Sequence, residues 1–190
     1  MRKVELITDF NETLVAPWYR FFSPYPNVLS AIDEQLWRNP LLSVTTHMVS
    51  NTMDIFYRGG MRKYVEKIGV PLSKESVIIN QSNFQTNLNH PLPSHVIERK
   101  IKAIQFICDE KIRETLDHHQ NCEIILLGDN SSFDPQAYLA VARHYQKLIE
   151  AEKLKLQIHI HRFYQRRKLE HNSNFQIHYF YADQGPQFFL

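Results

Sequence analysis

The chain lacks any apolar run approaching the roughly 18 residues a membrane helix requires, and the short one in "MRKVELIT" gives way at once to Asp9, so neither a span nor a secretion signal is expected. Cysteine is scarce. Cys108 and Cys122 are the two present, and their spacing suggests neither a disulfide staple nor a metal knuckle; a reducing, cytoplasmic setting is expected. No sign of charge prevails: 22 Lys and Arg against 20 Asp and Glu give a formal +2, with a pI of about 8.5, which gives no reason to expect nucleic acid as a partner. Repeats and low-complexity tracts are absent. What remains is a chain of 190 residues, 43% hydrophobic and 22% charged, able to bury one substantial core and read as one domain over residues 1–190. It finishes on "GPQFFL" with no polar tail, which reads as an N-terminal fragment of a longer protein, any membrane contact being left to chain beyond Leu190.

Short apolar strings bounded by turn residues alternate with helix-period segments, the rhythm of an α/β domain with a mostly parallel sheet. Strands are expected at residues 4–8, 41–46, 76–80, 123–127, 156–163 and 175–181. Between them, Val28, Leu29, Ile32 and Leu36 share a helical face behind an Asn27 cap. Ile55, Val65 and Ile68 suggest a second helix ending at Gly69, and Ile101, Ile104, Ile107, Ile112 and Leu116 a third. A fourth is expected over residues 135–152, opened by Pro135, while residues 80–93 read as a loop. In an open parallel sheet the ligand crevice lies beyond the carboxyl ends of the strands, which singles out Asp9, Thr45 or Thr46, and Asp129.

Asp9 follows the first strand, and Asp129 follows the apolar "EIILL" with Asp134 five residues later. Carboxylates on neighbouring strand ends can share one hard cation, and Mg²⁺ asks for only one or two of them beside waters and phosphate oxygens. The plainer alternative is that Asp129 caps a turn while Asp134 and Pro135 open a helix.

Together, "DFNET" (9–13) and "GDNSSFD" (128–134) resemble the first and fourth motifs of the haloacid dehalogenase superfamily, the first being DxDx(T/V). The run "ILLGDNSSFDPQAYLAVARHY" followed by "LQIHIHR" is similar to the actin-patch phosphatidate phosphatase branch. The resemblance spans residues 4–162. It implies a three-layer α/β/α Rossmannoid fold with at most a small cap or flap, over about residues 14–40. It also implies an Mg²⁺-dependent phosphatase in which Asp9 is the nucleophile and forms an aspartyl phosphate. Thr45, favoured over Thr46, would hold a phosphoryl oxygen, unless both are ordinary strand residues. Lys100, with Lys102 in reserve, would neutralise the charge gathering on the phosphoryl group, unless these lysines are solvated surface. Asp9, the backbone carbonyl of Asn11, Asp129 and Asp134 would hold Mg²⁺.

Asn11 stands where the family carries a second acid, and an amide can neither protonate a leaving oxygen nor deprotonate water. A phenol, with a pKa of about 10, leaves far more readily than an alkoxide whose parent acid lies near 15.7, so an aryl phosphate such as phosphotyrosine in a protein is the expected substrate. Trp18, Tyr19, Phe21, Phe22 and Tyr25 offer walls for a phenyl ring, or alternatively part of the core. Glu12 offers a substitute acid, although its side chain is expected to point away from Asn11. In this respect the chain looks like the HAD-type tyrosine phosphatases, as the catalytic module of a bacterial effector delivered into a host cell. Two other readings stay open: a lipid phosphatase of the phosphatidate type, and a catalytically weak scaffold that binds a phosphorylated partner. His159 and His161 share a strand face without a third zinc ligand, His118 and His119 suit a helix end, and "RFYQRRK" (162–168) reads as a solvated loop.

Overall fold

Isoleucine and leucine fill the middle of the segment Cys122–Asp129, whose eight residues are all buried, and a strand buried on both faces needs a covering layer on each side. In the computed structural model, which describes residues 1–10, 12–16, 23–50, 60–79, 93–117, 121–130, 133–162 and 175–190, that strand lies inside an open sheet. The strands are β1 (Arg2–Thr8), β2 (Leu42–Ser50), β3 (Leu72–Ile79), β4 (Cys122–Asp129), β5 (Leu154–His161) and β6 (Ile177–Phe180). Their order is β3-β2-β1-β4-β5-β6, and every pairing is parallel. The helices are α1 (Pro26–Ile32), continued by a π-helical turn over Asp33–Trp37, then α2 (Gly60–Lys67), α3 (Pro93–Asp117), α4 (Asp134–His144) and α5 (Gln146–Glu150).

Two cores flank the sheet. On one face Ile7, Ile124, Leu126, Ile158 and Ile160 pack against Ile104 and Ile107 of α3 and Ala137, Tyr138 and Val141 of α4. On the other, Val4, Leu6, Met48 and Leu127 meet Val28 and Ile32 of α1, Val65 of α2 and Phe188 of the C-terminal segment. This is the expected α/β fold in three layers, open rather than closed into a barrel. No helix among the described residues is long and apolar enough to cross a membrane.

The structure departs from the expected elements at several places, among them β3, which starts at Leu72 and not at residue 76. Strand β2 continues four residues past Thr46, because His47 is satisfied inside the sheet by Glu5, Nε2 to Oε2 2.7 Å, and Met48 and Val49 join opposite cores. Asn27 does not cap α1; Tyr25 takes that place with Pro26 in the first turn, and Asn27 Nδ2 instead donates to the Asp183 carbonyl at 2.8 Å. The fourth helix breaks at Tyr145, whose hydroxyl is drawn onto α3 by Asp109 Oδ1 at 2.6 Å. Part of the segment expected as a flap, residues 14–40, belongs to the body of the fold. Val15 and Pro24 form an antiparallel bridge, and residues 26–37 are helix packed on the sheet. The loop expected at residues 80–93 falls almost wholly outside the described residues, as do His118 and His119 and all of the basic run beyond Arg162.

Candidate functional site

The strand order reverses between β1 and β4, the point at which crossover helices leave a crevice above the carboxyl edge of an open α/β sheet. The β1–β4 ladder ends at Thr8 beside Leu127 and is extended by one rung, Asp9 N–H donating to the Leu127 carbonyl at 2.9 Å. That rung sets Asp9 next to the end of β4, where Asp129 is the last residue. Asp134, the first residue of α4, comes back over the same spot. Carboxylate oxygens of Asp9, Asp129 and Asp134 all lie within 4.8 Å of one another, and all three residues are buried.

Gly128 makes that return possible, since a Cβ there would sit 2.4 Å from Asp134 Oδ2 and 2.8 Å from the Tyr138 ring. With no side chain in the way, Asp134 Oδ2 accepts the Asp129 N–H at 3.2 Å, and the N-terminus of α4 favours a carboxylate in its first turn. Tyr138 closes the floor by donating to the Leu127 carbonyl at 3.0 Å.

Lys100 is the cation of the cluster. It lies on the stripe of α3 that carries Ile104, Ile107 and Cys108, so its side chain points into the protein and is 2% exposed. Its ammonium pairs with Asp134 Oδ1 and lies 3.5 Å from Asp9 Oδ2. Lys102, two residues on and therefore on the far side of the helix, is exposed and pairs with Glu98. Lys100 is thus the lysine that reaches the carboxylates, and Lys102 is not.

Electrostatics follow from that packing. Burial pushes the Asp9 carboxyl up to about 7; Lys100 opposes the rise, while Asp134 and Asp129 add to it. Burial works against the Lys100 ammonium, but Asp134 and Asp9 outweigh it and hold the group above its ordinary value. Asp9 Oδ1 is buried with no hydrogen-bond partner among the described residues, an arrangement that costs free energy unless another ligand satisfies the oxygen. Three carboxylates and one ammonium leave a charge of −2 when all are ionised, which a divalent cation would offset. These residues could hold a metal ion.

Thr45 and Thr46 are not brought to this site. Their register partners in β1 are Glu5 and Leu6, four and three rungs before Asp9, which at about 3.3 Å per residue leaves them roughly 10 Å or more below it. Thr46 is occupied besides by Trp37 Nε1, which donates to its hydroxyl at 3.0 Å. The hydroxyl at the carboxyl end of β2 is that of Ser50, buried and two residues beyond Met48, the register partner of Thr8; the strand's polar, histidine-bearing second half conceals it in the sequence. Thr13, the last residue of the DFNET motif and given no role of its own from the sequence, also belongs to the site. It is fully buried, and its Oγ1 donates to Asp129 Oδ2 at 3.4 Å. Asn11, Trp18 and Tyr19 lie outside the described residues. His159 and His161 are buried, each with a hydrogen bond of its own, and among the described residues the aspartate trio is the one group arranged to hold a metal.

A cavity of about 780 Å³ opens at the opposite end of the sheet, between Lys3, Ile149 and Leu154. Its buried acid, Glu123, is already paired with Arg2 at 2.9 Å and Lys155 at 3.0 Å, which leaves it no comparable chemistry. No family model, curated protein or solved structure matches the chain.

Proposed function

We propose that the protein is an Mg²⁺-dependent phosphomonoesterase that works through an aspartyl phosphate on Asp9 and favours aryl phosphates such as phosphotyrosine. One observation carries the reading: three buried carboxylates and one buried lysine converge where the strand order reverses, with one oxygen of Asp9 unpartnered among the described residues. Asp9, Asp129 and Asp134 would hold the ion; when bound, Mg²⁺ neutralises the cluster and polarises a phosphoryl oxygen.

The chain's own residues supply the rest. Asp9 attacks phosphorus, the P–O bond to the aryl group breaks, and the phenolate departs without a proton donor at position 11. Water then cleaves the acyl phosphate to inorganic phosphate and restores the Asp9 carboxylate. Lys100 opposes protonation of Asp9, orients it and offsets charge on the phosphoryl group. Thr13 fixes Asp129, and Ser50, buried at the carboxyl end of β2, would supply the hydroxyl expected at Thr45.

Hydrolysis of para-nitrophenyl phosphate, with Mg²⁺ and with EDTA, tests this for the unmodified chain and for Asp9→Asn. Turnover that needs Mg²⁺ and vanishes in D9N is expected. Equal turnover by D9N would overturn the reading. Mg²⁺ uptake with no turnover of aryl or alkyl esters would instead favour a binding module.

A further inference from the structure

The loop that follows Asp9 is tied from across the sheet by a residue that takes no part in the chemistry above. Glu12 has φ of 59°, one of two non-glycine residues with positive φ among those described, and this is a conformation that L-residues avoid. The other, Glu152, lies in the turn before β5, at the amino edge of the sheet. Backbone strain of this kind persists only where surrounding contacts over-determine it. The loop's internal bonds satisfy Glu12 N–H, which donates to the Val15 carbonyl at 2.7 Å, and Leu14 N–H, which donates to the Phe10 carbonyl at 3.0 Å. The Glu12 carbonyl faces β5, where it accepts a hydrogen bond from His161 Nδ1.

His161 is built for that bond. It is the last residue of β5, paired in register with Asp129, and 2% exposed. Phe180 stacks on its ring, with centroids 5.3 Å apart, and Tyr25 meets it edge-on at 5.0 Å. Tyr25 N–H in turn donates to the Leu14 carbonyl at 2.9 Å, so the ring that orients His161 is fastened to the same loop. A carbonyl oxygen only accepts, so Nδ1 carries the hydrogen. One residue past the clamped carbonyl, Thr13 reaches Asp129.

We infer that His161 is a positioning residue: by donating Nδ1–H to the Glu12 carbonyl it holds the loop after Asp9 in the left-handed turn that places Thr13 against Asp129, and so sets the affinity of the aspartate trio for a divalent cation. This rests on the metal-site part of the proposed function. Groups that orient metal ligands from behind change metal affinity by roughly 10–100-fold when removed.

Two substitutions separate the hydrogen bond from simple packing. His161→Phe keeps a ring between Phe180 and Tyr25 but removes the donor; His161→Asn loses the ring but keeps an N–H close to the position of Nδ1. Mg²⁺ binding is measured by calorimetry on the full chain, beside the thermal midpoint of each variant without metal. H161F should weaken Mg²⁺ binding roughly 10-fold or more, and H161N by no more than about threefold. Glu12→Gly, which removes the penalty for left-handed backbone, should restore part of the loss in the E12G/H161F double variant. The reverse order, with H161F binding normally and H161N impaired, would overturn the inference in favour of packing. Nitrogen-15 NMR of the unmodified imidazole at neutral pH gives a readout independent of both metal and folding of the variants. A ring that carries its hydrogen on Nδ1 is expected, and a neutral Nε2–H tautomer, which leaves Nδ1 nothing to donate, would overturn the clamp. Should the unmodified chain take up no Mg²⁺, the proposed function fails, and the imidazole spectrum alone decides whether the clamp exists.

Discussion

The Lys100 ammonium lies 3.5 Å from Asp9 Oδ2 at a depth where the lysine side chain is 1% exposed. A charge so placed is there to balance others, and removing it would leave buried carboxylates facing one another. Breaking a buried pair by deleting one partner costs about 3–5 kcal/mol. Lys100→Met should therefore lower unfolding stability in urea by about that amount at pH 7 without metal, with part of the loss recovered in millimolar Mg²⁺. Lys102→Ala, by contrast, removes an exposed pair worth about 0–1 kcal/mol and should leave stability and turnover nearly unchanged.

Gly128→Ala should act through Asp134. The added Cβ would overlap Asp134 Oδ2 and the Tyr138 ring, and overpacking of this kind costs typically about 1–3 kcal/mol. Tyr138 is held by Leu127 and Asp134 by Lys100 and Asp129 N–H, but the closest overlap falls on Asp134 Oδ2, and its carboxylate should turn away from Asp129 N–H. Calorimetry should show loss of Mg²⁺ binding with the fold retained.

The raised Asp9 pKa gives a pH dependence whose sign is fixed. Its ordinary value is 3.8 and its folded value about 7, so between these the folded state holds a proton that the unfolded state has released. This group's stabilising contribution is full below about pH 4 and is lost as pH rises towards 7, at up to about 1.4 kcal/mol per unit. Comparing the unmodified chain with D9N isolates that slope. Saturating Mg²⁺ takes the proton's place and should flatten it, and Mg²⁺ affinity should fall by up to about tenfold per unit below pH 7.

Much of this arrangement is legible in the sequence because strand ends in parallel sheets announce themselves. An apolar run that stops on an acid marks both Asp9 and Asp129, and the apolar register of α3 points Lys100 inward while turning Lys102 out. What was not legible depends on pairing. Nothing in "TTHMVS" says that His47 will be satisfied by Glu5, so β2 reads as ending at Thr46 and the hydroxyl at its actual end, Ser50, is missed. Likewise Asn27 looks like a cap because its carbonyl partner, at Asp183, is 156 residues away. The left-handed turn at Glu12 has no local signature either, since it is held by His161 from the far side of β4.

Restoring an acid at position 11 should change selectivity more than rate on the easiest substrate. General acid help is worth about 10²–10⁴ where the leaving group needs a proton, and little where it leaves unaided. Asn11→Asp should raise hydrolysis of alkyl phosphates by about 10²-fold or more while altering para-nitrophenyl phosphate turnover far less. An equal gain on both would show that leaving-group protonation is not what position 11 controls.

The central claim is that Asp9 becomes covalently phosphorylated. Quenching the protein during incubation with an aryl phosphate and Mg²⁺, reducing with borohydride and sequencing by mass spectrometry would convert an aspartyl phosphate to homoserine at the residue that carried it. The account predicts homoserine at position 9, absent when Mg²⁺ is withheld. Steady release of phosphate with residue 9 recovered only as aspartate would contradict it.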